Sequence, residues 1–161
     1  MKRILAIDLG TQSIRAGLMT PEGRAVAISQ QAHSIDSPQP GWAQQSPVAW
    51  WDITISIIRD VLAKSGMSSS EIAGVITCGQ MHGPTGIGFD GNITTEFTQL
   101  WCDKRCEPQC IEVRSSFNER ILQENTGNVP GAGWTGLKVK WIKDNQPDIY
   151  DSSFAPFIKT T

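Results

Sequence analysis

The stretch Ile4-Leu5-Ala6-Ile7-Asp8-Leu9-Gly10-Thr11-Gln12-Ser13-Ile14-Arg15 runs from a short apolar segment through an acidic residue and a small polar turn into a second segment, Ile14 to Met19. The first run is too short to span a membrane and is bounded by turn residues, so it reads as a buried strand, Ile4 to Asp8. Asp8 falls at its end, where a carboxylate is a hard oxygen ligand for magnesium, directly or through a water. In one reading the backbone N–H groups of Gly10 to Ser13 form a concave nest for phosphate oxygens and Arg15 adds a cation. Those are the parts that hold a magnesium-bound nucleoside triphosphate. In the other reading Gly-Thr-Gln-Ser is a tight hairpin turn and nothing more. Spacing alone leaves both open, because short turn motifs also arise by chance.

Outward from that hairpin the pattern is a three-strand meander and then a crossover. Pro21-Glu22-Gly23 is a turn, and a third strand runs from about Ala25 to His33. Ser37-Pro38-Gln39-Pro40-Gly41 marks a loop. Ser46 is a candidate helix cap with Pro47 at the first helical position. Val48, Trp51, Ile55, Ile58 and Leu62 come next at helical spacing, and Trp50, Ile57 and Val61 widen the stripe, which predicts a helix buried on more than one side. Lys64-Ser65-Gly66 is its stop. Ile72 to Cys78 reads as a parallel strand reached by that helix, so the expected fold is α/β with a mixed sheet and flanking helices.

Beyond it, Gly83-Pro84 is a break, Thr85 to Phe89 a strand and Asp90-Gly91-Asn92 a turn. A helical pattern starts after Asp103, with Pro108 in its first turn and an apolar face through Phe117, Ile121 and Leu122 to Asn125. Trp134 to Lys143 reads as a helix ended by Pro147, with Tyr150 as an anchor for the segment after it. Phe154 to Ile158 looks like the start of a strand with no partner after it, an uncovered edge that invites self-association or a homo-oligomer.

Apolar residues make up 39% of the chain, enough for a core. The net charge is −2 with both signs interspersed, which argues against a nucleic-acid surface. Lys2-Arg3 precedes only a short apolar run, too short for a secretory core, and no membrane anchor comes after it. A cytoplasmic location with reduced thiols is therefore expected. Cys102, Cys106 and Cys110 recur every fourth residue and would share one helical face. Their spacing matches no zinc or iron–sulfur pattern, which favours packed thiols over a metal site.

Four motifs in order extend the first. They are Gly41-Trp42-Ala43-Gln44-Gln45-Ser46-Pro47, Gly79-Gln80-Met81-His82-Gly83, Leu100-Trp101-Cys102-Asp103-Lys104-Arg105, and Gly133-Trp134-Thr135-Gly136-Leu137-Lys138-Val139-Lys140-Trp141-Ile142-Lys143. The opening loop resembles the first phosphate loop of the actin-like ATPase superfamily. The whole series resembles the N-terminal domain of the FGGY carbohydrate kinases, xylulokinase-like members above all, across nearly the whole chain.

That resemblance implies a ribonuclease-H-like fold, incomplete at the C-terminus. It also implies an ATP-dependent kinase acting on a pentulose or related polyol, with ATP and Mg2+ as cofactors. Residues 1–161 would be part of the sugar-binding domain, with the nucleotide-binding domain absent and this piece inactive alone. By position, Asp8 goes to magnesium, and Gly10, Thr11, Gln12, Ser13 and Arg15 to phosphate. Gln80, Met81, His82, Asp103 and Arg105 go to the sugar. An amide and an imidazole both donate and accept, as hydroxyls require, and a thioether supplies an apolar floor. A core role for His82 and a capping role for Asp103 remain open on the residues alone. Cys102 stands where the family usually has asparagine, Gln44 where it often has glutamate and Ser46 where it often has aspartate, which bears on the identity of the sugar. The family's general-base aspartate has no counterpart here; Asp90, Asp103 and Asp144 lie outside its motif. A standalone carbohydrate- or phosphate-binding module and another actin-like ATPase are the competing readings.

Overall fold

Residues 2–159 are described by a computed structural model. They divide into two compact units, one comprising the chain up to Ile35 together with Val48–Gln80, the other Asp36–Pro47 and the chain from Met81 onward.

The first unit is built on a four-stranded sheet of β1 (Arg3–Leu9), β2 (Ser13–Met19), β3 (Ala25–Ala32) and β5 (Ile72–Gly79), in the order β3-β2-β1-β5. The meander pairs antiparallel and β5 returns parallel to β1, so the expected mixed α/β sheet is present. The crossover between them is helix α1 (Pro47–Ser65). A capped single turn, Ser69–Glu71, then leads into β5. The Ser29 hydroxyl donates to the Asp60 carboxylate at 2.6 Å, tying α1 to β3. Buried on the sheet are Leu5, Ile14, Ala16 and Leu18.

The helix buries a different stripe from the one its spacing suggested. Trp50, Ile57 and Val61 are the buried residues, whereas Val48 and Trp51 are exposed. A helix that is apolar nearly all round carries two overlapping stripes, and periodicity does not rank them.

The second unit holds two short ladders. β4 (Gln44–Gln45) pairs with β7 (Thr98–Gln99), and β6 (Pro84–Gly88) pairs with β8 (Ser153–Lys159), both antiparallel. The backbone of Ser153–Lys159 pairs on one side with the earlier β6 and remains an edge of its two-stranded sheet; Thr160 and Thr161 lie outside the described residues. Pro84 begins β6 rather than breaking before it.

The helical stretch after Asp103 is two helices, α2 (Glu107–Ser116) and α3 (Glu119–Thr126). Phe117 is extended between them, and the Asn118 side chain accepts from the N–H groups of Arg120 and Ile121. A capping asparagine outcompetes helix continuation at that point, and it leaves Phe117 and Ile121 exposed rather than on a shared buried face. Pro147 closes α4 (Thr135–Asn145) and opens α5 (Pro147–Ser152), the first-turn position that proline tolerates. Lys143 lies over the Tyr150 ring at 5.5 Å, joining α4 to α5.

The face of the first sheet that carries Asp8, Arg15, Ile28, Ile76 and Cys78 opens on an apolar concavity of about 280 Å³. Ile28 is 57% exposed and Ile76 62%. Strand β5 is also an edge of that sheet. Contiguous apolar surface on an edge strand favours association. The 161-residue chain should bind a hydrophobic dye and sediment faster than a monomer, and Ile76→Lys should reduce both. A monodisperse, dye-silent native chain would contradict this.

Candidate functional site

The hairpin between β1 and β2 sets the first half of the site. Its last paired residues are Asp8 opposite Arg15 and Leu9 opposite Ile14. The Gly10 N–H donates to the Ser13 carbonyl at 3.1 Å and closes the turn. A Cβ on Gly10 would sit 2.9 Å from that same oxygen, so the turn requires glycine. The Gly10 N–H is thereby occupied and is not a donor to the expected nest. His33 braces the loop: its Nε2 lies 2.9 Å from the Gly10 carbonyl, and its N–H donates to the Gln12 carbonyl at 3.1 Å. In the sequence His33 is legible only as a strand end.

Asp8, Gly10, Thr11, Gln12, Ser13 and Arg15 together line a concavity of about 260 Å³. Asp8 Oδ2 is 3.8 Å from Arg15 Nη1, and both side chains are about half exposed, at 44% and 56%. The Cys78 thiol donates to Asp8 Oδ1 at 3.4 Å. Burial and the neighbouring carboxylate push that thiol's pKa up, so it stays protonated. Among the described residues no cluster of three or more His, Cys, Asp or Glu is placed to hold a metal. One accessible carboxylate lining this polar hollow nevertheless fits Mg2+, which keeps most of its waters and takes one or two carboxylates plus phosphate oxygens.

Gln80 comes directly after β5, is 9% exposed and donates its N–H to the Leu9 carbonyl at 2.9 Å. Its Oε1 accepts from the Thr11 hydroxyl at 3.1 Å. The residue expected to face sugar is thus bonded to the residue expected to face phosphate, both in the first unit.

Met81, His82, Asp103 and Arg105 belong to the second unit. Met81 is 57% exposed. His82 has φ of 65°, the left-handed region, and no other described non-glycine residue has a positive φ. Such a conformation persists where the surroundings fix it, and such positions concentrate at functional sites. His82 lines a concavity of about 410 Å³ with Thr126, Asn128, Trp134, Thr135 and Gly136. The Thr135 hydroxyl is buried there without a hydrogen-bond partner, at the first turn of α4. In the sequence Asn128 reads only as loop and Thr126 as its first residue. Their contribution needs the folded chain to be seen.

Asp103 and Arg105 form a closed clamp. Asp103 Oδ2 accepts from the Ala43 N–H at 2.7 Å, and Asp103 Oδ1 from the Arg105 N–H at 2.8 Å. The Arg105 guanidinium returns to the same carboxylate at 2.8 to 3.0 Å and donates to Gln44 Oε1 at 2.7 Å. It lies 3.7 Å over the Trp42 ring, and Trp42 meets Trp141 edge-on at 5.6 Å. The two charged side chains are 0% and 5% exposed.

Helix α2 starts at Glu107, so Cys102 sits in the preceding turn and does not share the helical face of Cys110. Cys106 and Cys110 are fully buried with Leu137, beside Val113, Ala132, Trp134 and Trp141. The Cys106 thiol donates to the Ala132 carbonyl at 3.3 Å. Burial, with the adjacent Cys110, pushes the Cys106 thiol up to about 12. An unfolded thiol ionises near 9, so this group stabilises the fold below pH 9, and the contribution is lost as pH rises from 9 to 12. The stability difference between the native chain and Cys106→Ala should shrink over that window in urea titrations. A constant difference would show that the thiol is not held neutral by the fold.

The profile of the FGGY family of carbohydrate kinases, N-terminal domain, matches residues 3–155. The chain belongs to the FGGY family of carbohydrate kinases. A glycerol kinase of Variovorax paradoxus is 33% identical over 147 residues, 91% of this chain and 30% of that protein. A xylulose kinase of Bacillus subtilis is 29% identical over 150 residues, 93% of this chain and 30% of that one. In structure, a xyloylose kinase from Brucella ovis superposes with a TM-score of 0.84 at 27% identity, over 94% of this chain and 31% of that one. The fold is accordingly that of the actin-like FGGY sugar kinases. The chain spans about 30% of the length of the curated relatives it matches. Among the described residues no helix is long and apolar enough to cross a membrane.

Proposed function

We propose that this chain is the sugar-side part of an ATP-dependent carbohydrate kinase, which transfers the γ-phosphoryl group to a hydroxyl of a pentulose or related polyol in the cytoplasm. On this reading it is part of the N-terminal, sugar-binding domain, and the nucleotide-binding domain and general base are supplied by further chain. The observation that carries the proposal is the glycine-locked hairpin turn, with Asp8 and Arg15 lining its hollow, in a chain of FGGY family.

Phosphoryl transfer is chiefly positioning and charge stabilisation. Thr11, Gln12, Ser13 and Arg15 would receive the phosphate, with the Gly10 turn fixing their backbone. Mg2+, held by Asp8 directly or through water, would supply charge neutralisation at the transferring group. Gln80, whose Oε1 accepts from the Thr11 hydroxyl, would hold the phosphate loop on its sugar-facing flank. Met81 and His82 would meet the sugar, His82 from the hollow it shares with Asn128 and Thr135. Asp103 and Arg105 spend their charge on one another and on the Ala43–Gln44 segment, so we assign them to fixing the sugar-side loops rather than to touching the sugar.

Two measurements test this. The 161-residue chain alone should show no sugar-dependent ADP release in a coupled assay. Loss of general acid–base assistance costs about 10²–10⁴ in rate, so robust turnover would overturn the assignment of the base to further chain. In a full-length kinase carrying this domain, His82→Ala should weaken binding of the sugar by about 1–3 kcal/mol, the usual cost of an unpaired polar partner. Thermal stability without sugar should barely change. A large fall in melting temperature with unaltered sugar affinity would return His82 to the core.

A further inference from the structure

Lys138 lies between Leu137 and Val139 in α4 and is 0% exposed. Its Nζ donates to two backbone carbonyls from distant parts of the second unit, His82 at 3.2 Å and Leu100 at 2.5 Å. The Leu100 carbonyl also accepts from the Asp103 N–H at 3.0 Å, at the turn that leads into the Asp103–Arg105 clamp. Among the described residues no carboxylate lies within ion-pair distance of Lys138, and the nearest opposite charge, Asp103, is taken up by Arg105.

A buried ammonium without a direct counter-ion is costly, and methionine or leucine would fill the same space at less expense. What an ammonium offers instead is three N–H donors, charge-assisted, from one point. Two of them end on carbonyls, one of which belongs to the only described non-glycine residue held at positive φ. We propose that Lys138 is a positioning residue of the sugar site, whose ammonium holds the His82 turn in its left-handed conformation and binds it to the Leu100 turn and to α4. The proposal deepens the sugar-site reading and rests on it for the affinity effect alone. The geometry of the staple stands without it.

The titratable and charged groups around Nζ are Cys106, Asp103, Cys102 and Arg105. Burial outweighs the attraction of the Asp103 carboxylate and pulls the lysine down to about 8. Loss of its charge is therefore reachable without unfolding the chain. Deprotonation weakens both carbonyl bonds together, which gives the staple a spectroscopic signature.

The experiment tracks the backbone carbonyl carbons of His82 and Leu100 by NMR in the labelled 161-residue chain from pH 6.5 to about 9.5. A shared step with a midpoint near 8 is expected. Leu100 has no titratable side chain, so its share of the step separates Lys138 from titration of the His82 ring itself. The step should vanish in Lys138→Met. It should also vanish in Lys138→Arg, which stays charged throughout the range and keeps the His82 signals near their native low-pH positions. If the two native carbonyls show no common step, or the step survives in either variant, the proposal fails; the native titration decides this even if Lys138→Met does not fold.

In a second arm xylulose, xylitol and glycerol are titrated against the His82 ring signals. Lys138→Met should weaken the response at least fivefold, and Lys138→Arg should restore part of it. No response to any of the three in the native chain would overturn the sugar-site reading, leaving the carbonyl result to judge the staple. A native response that Lys138→Met leaves unaltered would overturn the positioning role.

Discussion

Asp8→Ala, introduced into a full-length FGGY kinase that carries this domain, should lower kcat by about 10²–10³, the usual loss when one preorganised electrostatic group is removed from a transition state. The KM for sugar should move by no more than a few-fold. Asp8 stands at the end of β1 and lines one hollow with Gly10 to Ser13 and Arg15. A group that acts on magnesium and the migrating phosphoryl matters most where charge is redistributed, and so appears in kcat rather than in ground-state binding. The fold should tolerate the change. The partners of Asp8 are a half-exposed Arg15 at 3.8 Å, an ion pair of little net worth, and the exposed Cys78 thiol at 3.4 Å. Steady-state kinetics with sugar and ATP varied separately, together with a melting curve, test the claim. Near-normal turnover with weakened sugar affinity would make Asp8 a sugar ligand.

The first unit is readable almost residue by residue because its signals are local. Apolar runs bounded by turn residues place β1, β2, β3 and β5, and the long α1 between strands implies the parallel return of β5. What the sequence does not rank is which α1 stripe is buried, since Val48 and Trp51 match the helical period as well as Trp50 and Ile57 do. The second unit is harder for a different reason. β4 and β7 contain two residues each, too few to show any alternation, and they pair across more than fifty positions of chain. The α2–α3 boundary depends on one capping side chain, Asn118, inside a stretch whose composition is helical throughout. Site residues divide in the same way. Asp8, the Gly10–Ser13 loop and Gln80-Met81-His82 stand in compact motifs. His33, Asn128 and Lys138 reach their places only through tertiary contacts, and one lysine among the three of α4 looks like the others until its ammonium is seen on two carbonyls.

Asp103→Ala should destabilise the chain by about 3–5 kcal/mol, the cost of leaving a buried charge without its partner. The Asp103 carboxylate satisfies the Ala43 N–H, the Arg105 N–H and the Arg105 guanidinium at once. Its removal strands a guanidinium that is 5% exposed, with Gln44 as its remaining hydrogen-bond partner and the Trp42 face beneath it. Lys138 loses its nearest compensating negative charge as well. The double variant Asp103→Ala/Arg105→Met should recover much of the loss, because a buried ion pair replaced by apolar groups is often neutral, whereas half a pair is not. The backbone N–H groups of Ala43 and residue 105 lose this acceptor in both variants, so recovery should stop short of native by about 1–3 kcal/mol for each. Urea unfolding of the native chain and the two variants, monitored by tryptophan fluorescence that reports on Trp42 and Trp141, measures both quantities. A loss below about 1 kcal/mol in the single variant, the range of an exposed pair, would mean that the clamp is open to solvent and its charges available to a ligand, and Asp103 and Arg105 would then return to the sugar site.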